Sequence, residues 1–312
     1  MAHPHAVWPP ALAPGARVAL VAPAGPLGDA VELARAEANA RALGWEPVVA
    51  PNAMARAGYL AGDDAARLGD LDAALRASDV DGVWCLRGGY GLMRILDRID
   101  CDALAARPRA LIGFSDITAL HLAVAAHGPS ADVKLVTFHG PTARGELTPF
   151  SRDSLARAVV AHVDSCGPAP GAVTLRGGRA TGRLAGGNLA MLAALAGTPY
   201  APRFDDAIVV LEDVTEPLYR IDRLLRQLVL AGAFTGCHAI VFGHCTDCPG
   251  QEGGEGHLSL ADLVRDVADA LGVPALLGVP VGHIAEQWTI PLGARAVVDA
   301  DEPSLHVESP AP

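Results

Sequence analysis

Aromatic side chains make up only 4% of this 312-residue chain and charged ones 19%, while apolar residues reach 51%. So little charge beside so much Ala, Val and Leu excludes a disordered chain and reads as a compact α/β protein. Positive charge is scarcer still. Lys and Arg number 24 against 35 Asp and Glu, a net charge of −11. That balance argues against nonspecific binding to nucleic acid or to an anionic membrane surface, yet permits a small anionic substrate held by one or two arginines. No apolar run is long enough to span a bilayer. The start, Met1-Ala2-His3-Pro4-His5, lacks a basic segment followed by a long apolar one, so a soluble cytoplasmic protein is expected.

Cysteine is sparse and scattered. Cys85, Cys101, Cys166, Cys237, Cys245 and Cys248 read as reduced thiols of a cytosol-like compartment. Cys245-Thr246-Asp247-Cys248 has His244 beside it and Cys237, His238 and His257 nearby, but a closed zinc site needs four ligands and one C-x-x-C supplies two. Gly250, Gly253, Gly254 and Gly256 follow, so loop cysteines are expected here, with no metal and no cofactor. A dinucleotide fingerprint is also missing. Gly25-Pro26-Leu27-Gly28 is not G-x-G-x-x-G, and Pro26 removes a donor that a phosphate would need.

What is present has the rhythm of an α/β fold in two domains. Arg17 to Ala22 is a buried-strand run, Asp29 to Leu43 is helical, and Glu46 to Ala50 is the next strand, together a right-handed βαβ unit. Val80 to Leu86 is another strand, closed by Arg87-Gly88-Gly89-Tyr90-Gly91 and a helical run from Leu92 to Leu96. The spacing predicts helices over 152–162, 188–196 and 219–230. Strands are expected at 173–175, 207–211, 239–242 and 296–298. Ser165 to Gly171 is rich in Pro and Gly and reads as a linker. The division is a 1–164 domain, a 165–172 linker and a 173–312 domain.

Three strand ends carry groups with chemistry. Gly113-Phe114-Ser115-Asp116-Ile117 lies where a strand hands over to a helix, the setting of an acyl-transfer nucleophile. Ile117 replaces the second glycine of that motif, and Ser115 read locally is equally an N-cap. Glu212-Asp213-Val214-Thr215-Glu216 follows the strand at 207–211, where a desolvated carboxylate can orient an imidazole. Val281-Gly282-His283 ends a further apolar run. Taken singly, Glu212 is a solvated acid and His283 a structural histidine; together with Ser115 they stand in the order of a triad.

Arg87 to Gly91, Gly113 to Leu120, Gly186-Gly187-Asn188-Leu189, Gly197-Thr198-Pro199, Leu211 to Val214, Glu216-Pro217, Tyr219 to Arg223, Gly282-His283 and Thr289 to Gly293 occur in this order in LD-carboxypeptidases. Over about nine-tenths of its length the chain resembles that serine peptidase family, muramoyltetrapeptide carboxypeptidases in particular. The resemblance implies a flavodoxin-like parallel-sheet N-terminal domain, a smaller β-rich α+β C-terminal domain and a site in the groove between them. It implies Ser115 as nucleophile, His283 as general base and Glu212 as its orienting acid, with Asp213 and Glu216 as competitors for the last role. The Gly89 and Asp116 N–H groups would receive the oxyanion, with Arg87, Tyr90 and Asn188 on the substrate. Gln287 stands where the family often has asparagine. The implied activity is hydrolysis of an L,D-peptide bond to release D-alanine from murein tetrapeptides in cell-wall recycling, by a homodimer without metal. Two other readings are a same-family amidase acting on peptidyl-nucleotide antibiotics and a non-catalytic two-lobed binding protein.

Overall fold

The structure, a computed structural model, describes residues 5–127, 133–250, 252–253 and 258–310. Strand β1 (His5–Val7) is followed by β2 (Arg17–Val21), helix α1 (Ala30–Ala42), β3 (Glu46–Val49), α2 (Asp64–Arg76), β4 (Gly82–Cys85), α3 (Cys101–Ala106), β5 (Ala110–Gly113) and α4 (Thr118–Ala126). Then come β6 (Val133–Leu135), β7 (Thr137–His139) and α5 (Pro149–Ala156). The second half runs β8 (Gly167–Pro168), β9 (Val173–Arg176), β10 (Arg179–Asn188), α6 (Leu189–Ala194), β11 (Ala207–Val214), α7 (Leu218–Leu230), β12 (Ala239–Thr246), α8 (Leu260–Leu271), β13 (Ala275–Leu277), β14 (Ile290–Leu292), β15 (Arg295–Asp299) and β16 (Ser304–Val307).

The first half builds a sheet of order β14-β7-β5-β4-β2-β3. Its strands β3, β2, β4, β5 and β7 are all parallel, which is the flavodoxin order 2-1-3-4-5. Both faces are covered, so β4 and β5 are buried at every position and read as continuous apolar runs. The second half forms a mixed sheet of order β8-β16-β15-β10-β11-β12-β13-β9, parallel through β10, β11, β12 and β13. One continuous core joins the two sheets, with Trp84, Ile112 and Phe138 in the same cluster as Leu184, Val210, Val241 and Ile290.

Local chemistry explains the boundaries. Asp29 and Asp63 cap α1 and α2 through their carboxylates, and Thr148 caps α5 with Pro149 in the first turn, the arrangement helices prefer. Helix α8 carries a full capping box between Ser259 and Asp262 and ends on left-handed Gly272. In α7 the buried residues Ile221, Leu225 and Leu228 form one helical stripe.

Two expectations need correction. The helix read from Leu92 is two 3₁₀ turns, Leu92–Arg94 and Leu96–Arg98. Gly91 at φ +134 swings the chain in, and Asp116 Oδ2 accepts the Leu92 N–H, so the segment tightens before an α-helix can propagate. The helix expected over 152–162 begins at Pro149 and loosens into a π turn at Arg157–Ala161. The Pro/Gly-rich stretch at 165–171 also makes contacts of its own. Gly167 and Pro168 pair with β16 as an edge strand, and Ser165 Oγ donates to the Thr289 carbonyl.

Candidate active site

The carboxyl ends of β2, β4, β5 and β7 converge, as open parallel sheets require of a binding edge. Ser115 is the first residue after the β5 turn. It adopts φ +66, a left-handed conformation that costs a non-glycine residue about 1–3 kcal/mol and persists only where surroundings enforce it. The enforcement is visible. Ile117 packs under Gly113, where a Cβ would meet its side chain at 3.0 Å, so this elbow needs glycine before the serine and tolerates isoleucine after it. Ser115 itself is half-buried and its Oγ makes no hydrogen bond among the described residues.

The glycine loop after β4 lies against the serine. A Cβ on Gly88 would come within 2.8 Å of Ser115 Cβ and 3.0 Å of its Oγ, so only glycine permits this approach. Gly25 N–H donates to Gly88 O at 2.9 Å, which turns the adjoining Gly89 N–H the opposite way. Neither the Gly89 nor the Asp116 N–H has an acceptor among the described residues. The loop is anchored from below. Asp116 Oδ2 accepts from Leu92 N at 3.0 Å, and buried Arg67 donates to Pro23 O, Gly91 O and Asp64. Burial raises the Asp116 carboxyl above its usual range, with the Leu92 N–H bond and then Arg67 pulling it back.

Strand β11 supplies the acid. Glu212 is fully buried, and its Oε2 accepts from His283 Nδ1 at 2.8 Å. Beside it β12 carries an extra residue, since Leu211 pairs with Phe242 but Asp213 with Cys245; such a bulge re-aims a side chain next to a site. Gly282 at φ +126 brings the histidine in, for a Cβ there would lie 3.2 Å from Glu212 Cβ. The imidazole packs at 4.7 Å between centroids on Phe114, the neighbour of Ser115. His283 thus bonds Glu212 directly and packs on Phe114, the residue before Ser115. The bond from Ser115 Oγ to His283 Nε2 is not formed, and both atoms are unpartnered among the described residues. Catalytic hydrogen bonds often close only with substrate bound.

The competitors are placed elsewhere. Asp213 accepts from Asn188 Nδ2, Ala190 N and Val214 N, and burial pushes it up to about 6. Glu216 pairs with Arg220 near the surface. Asn188 also caps α6 through Oδ1, and its backbone N–H donates to Thr118 Oγ1 at 3.0 Å, linking β10 to the helix behind Ser115. Tyr90 is exposed and meets Tyr59 edge-on at 5.4 Å. Arg87 donates to Pro26 O at 2.6 Å.

Sequence reasoning missed Arg67 and His139. His139 ends β7 with neither ring nitrogen partnered, and burial, with His121 and His283 near, lowers it to about 3. Its one signal was a histidine closing an apolar run. A separate cavity of about 620 Å³ opens between α4 and β10, lined by Leu122, Lys134, Arg183 and Leu292 among others; none of the three residues reaches it.

Cys245 and Cys248 are joined as a disulfide, which corrects the expectation of reduced thiols at that pair; Cys85, Cys101, Cys166 and Cys237 are free. The expected neighbours His257, Gly254 and Gly256 lie outside the described residues. Among the described residues, no three His, Cys, Asp or Glu side chains form a metal-holding group, and no helix is long and apolar enough to cross a membrane.

Two sequence models match, described as the LD-carboxypeptidase N-terminal domain over residues 18–140 and the LD-carboxypeptidase C-terminal domain over residues 181–298. A Streptomyces coelicolor protein is 41% identical over 320 residues, 98% of this chain and 97% of that one. The murein tetrapeptide carboxypeptidase of Pseudomonas aeruginosa is 39% identical over 306 residues, 91% of this chain and 94% of its own. Among solved structures, a muramoyltetrapeptide carboxypeptidase from Oxalobacter formigenes superposes with a TM-score of 0.81 at 27% identity, covering 95% of this chain and 100% of that one. Two sheets of this topology, with both sequence models matched in order, place the chain in the LD-carboxypeptidase family of serine peptidases.

Proposed function

We propose that this enzyme hydrolyses the L,D-peptide bond that releases terminal D-alanine from murein tetrapeptides, in the cytoplasm, as a step of cell-wall peptide recycling. The observation that carries the reading is the 2.8 Å bond from His283 Nδ1 to fully buried Glu212, made on an imidazole packed at a tilt against Phe114, the residue preceding Ser115. A carboxylate can only accept from that nitrogen, so it fixes Nδ1 as the protonated one and leaves Nε2 as the base.

Ser115 Oγ attacks the carbonyl of the third residue while His283 Nε2 takes its proton. The oxyanion is received by the Gly89 and Asp116 N–H groups, which protein acceptors leave open; each such donor is worth about 3–4 kcal/mol in comparable sites. Imidazolium then protonates the departing D-alanine, and water resolves the acyl-enzyme by the same route. Arg87, Tyr90 and Asn188 are assigned to the substrate. The division at the 165–172 linker, with the nucleophile before it and the acid and histidine after it, belongs to this reading, as does a homodimer.

The microcin C7 self-immunity protein of Escherichia coli is 24% identical over 290 residues, against 39% for the murein enzyme; that difference favours murein peptide over a peptidyl-nucleotide amide. Incubating the protein with L,D- and D,D-terminated muropeptides and with an aminoacyl sulfamoyl adenylate tests the assignment. Free D-alanine is expected from the L,D-peptide alone. Turnover of the nucleotide conjugate without D-alanine release would replace the murein reading.

A further inference from the structure

The turn after β2 gathers positive charge in a chain with a net charge of −11. Arg87 Nη1 donates to Pro26 O at 2.6 Å, and Arg56 Nη2 donates to Leu27 O at 2.7 Å. Arg144 joins them from the segment after β7 and pairs with Glu32. Glu32 is itself occupied, since its other oxygen accepts the Gly28 N–H at 2.7 Å. Among the described residues, neither Arg56 nor Arg87 has a carboxylate within salt-bridge distance. Of these three guanidinium groups only Arg144 has a carboxylate partner, and the other two are held in place by backbone carbonyls.

Bringing like charges together costs free energy, and the cost shows. Burial first, then Arg144 and Arg56, lower the Arg87 guanidinium below its ordinary value, with Glu32 opposing. Perturbed charge of this kind clusters at functional sites. The location fits. Arg87 Nε lies 3.5 Å and 3.7 Å from where Cβ atoms would stand on Gly25 and Gly89, so the guanidinium flanks the loop whose neighbouring Gly88 touches Ser115. Carbonyl anchors orient its fork without neutralising it, and a planar fork matches a carboxylate in two hydrogen bonds.

We propose that Arg87, with Arg56 and Arg144 beside it, forms an anion subsite at the mouth of the cleft that takes a free carboxylate of the peptide substrate. The proposal rests on the peptidase reading and deepens it. Two sources share this chemistry, the terminal D-alanine carboxylate and a side-chain carboxylate further along the peptide.

Kinetics of the full-length protein with three peptides separate them: the free acid, its terminal amide, and a peptide with a free terminus and amidated internal carboxylates. Arg87→Gln should raise KM for the free acid about 10- to 100-fold, the range for a hydrogen bond to a charged group, with kcat within a few-fold. Arg56→Gln and Arg144→Gln should each raise it less. Amidating the contacted carboxylate should weaken the parent by a similar factor and remove most of the further loss from Arg87→Gln; whichever amide does so names the source. A KM shift equal for all three peptides, or none, overturns the subsite. Binding of the free acid to Ser115→Ala, with and without Arg87→Gln, reads the same contact without turnover. Equal Kd values there sink the subsite even if D-alanine release is intact, whereas a parent that releases no D-alanine sinks the peptidase reading alone.

Discussion

The two sides of the proposed site are built by different means. On the β5 side the work falls to backbone: a serine at φ +66, a glycine loop pressed on it, and N–H groups left without acceptors. On the β11 side it falls to buried side chains, where neighbouring acids face opposite ways. Glu212 turns to His283, and Asp213 turns to the capping network of α6. A backbone-built half is sensitive to added volume; a half built on buried carboxylates is sensitive to charge and to pH. That contrast can be broken at either end.

The largest effect belongs to Ser115→Ala, which should lower D-alanine release by about 10⁶-fold, as loss of a triad nucleophile does elsewhere, with unchanged circular dichroism and a melting temperature near the parent's. Glu212→Gln keeps shape but offers His283 Nδ1 an amide that can hold the wrong tautomer; kcat should fall about 10⁴-fold. Turnover within tenfold of the parent would move the orienting role away from Glu212. Gly88→Ala adds only one methyl group, yet at 2.8 Å from Ser115 Cβ it should displace the glycine loop proposed to receive the oxyanion. A loss of about 10²- to 10³-fold in kcat is expected, together with destabilisation of about 1–3 kcal/mol, seen by denaturant titration.

The smallest effects are in stability against pH, and here the two sides oppose each other. Asp213 is raised in the fold to about 6 from 3.8, so the native state holds the proton more tightly than the unfolded chain. Its burial penalty is therefore absent below pH 4 and grows as pH rises through 6. His139 is lowered from 6.5 to about 3. Its unfolded form takes up a proton first, so stability present above pH 6.5 is lost as pH falls toward 3. Between pH 4 and 6, Asp213→Asn should remove a gain on acidification and His139→Asn a loss. Parallel stability–pH curves for parent and both variants would show that neither group titrates as its burial requires.

How much of this could be read from residues alone follows the same division. The βαβ unit, the strand at 207–211 and the stripe of α7 announce themselves through local periodicity. Ser115, Glu212 and His283 are visible because each closes an apolar run, where a parallel sheet exposes its chemistry. What stayed hidden depends on distant segments. Arg67 is unremarkable in the sequence, and only folding brings Pro23 and Gly91 to its guanidinium. Helix α2 is obscured because its buried face includes Arg67, Asp70 and Asp72, which blur the apolar stripe. Strand β14 is hidden because a proline-centred triplet looks like a turn; it pairs because Pro291 sits on the outermost strand of the sheet, where a missing donor costs little.

That edge strand ties the molecule together in a way a linear domain map does not convey. Ile290–Leu292 comes from the second half of the chain but completes the sheet of the first, pairing with Thr137–His139. A cut made anywhere in the 165–172 segment would leave two fragments still clasped through a shared sheet. The cleft is thus interlaced rather than hinged on a single connector, and a nicked protein should travel as one particle on a sizing column.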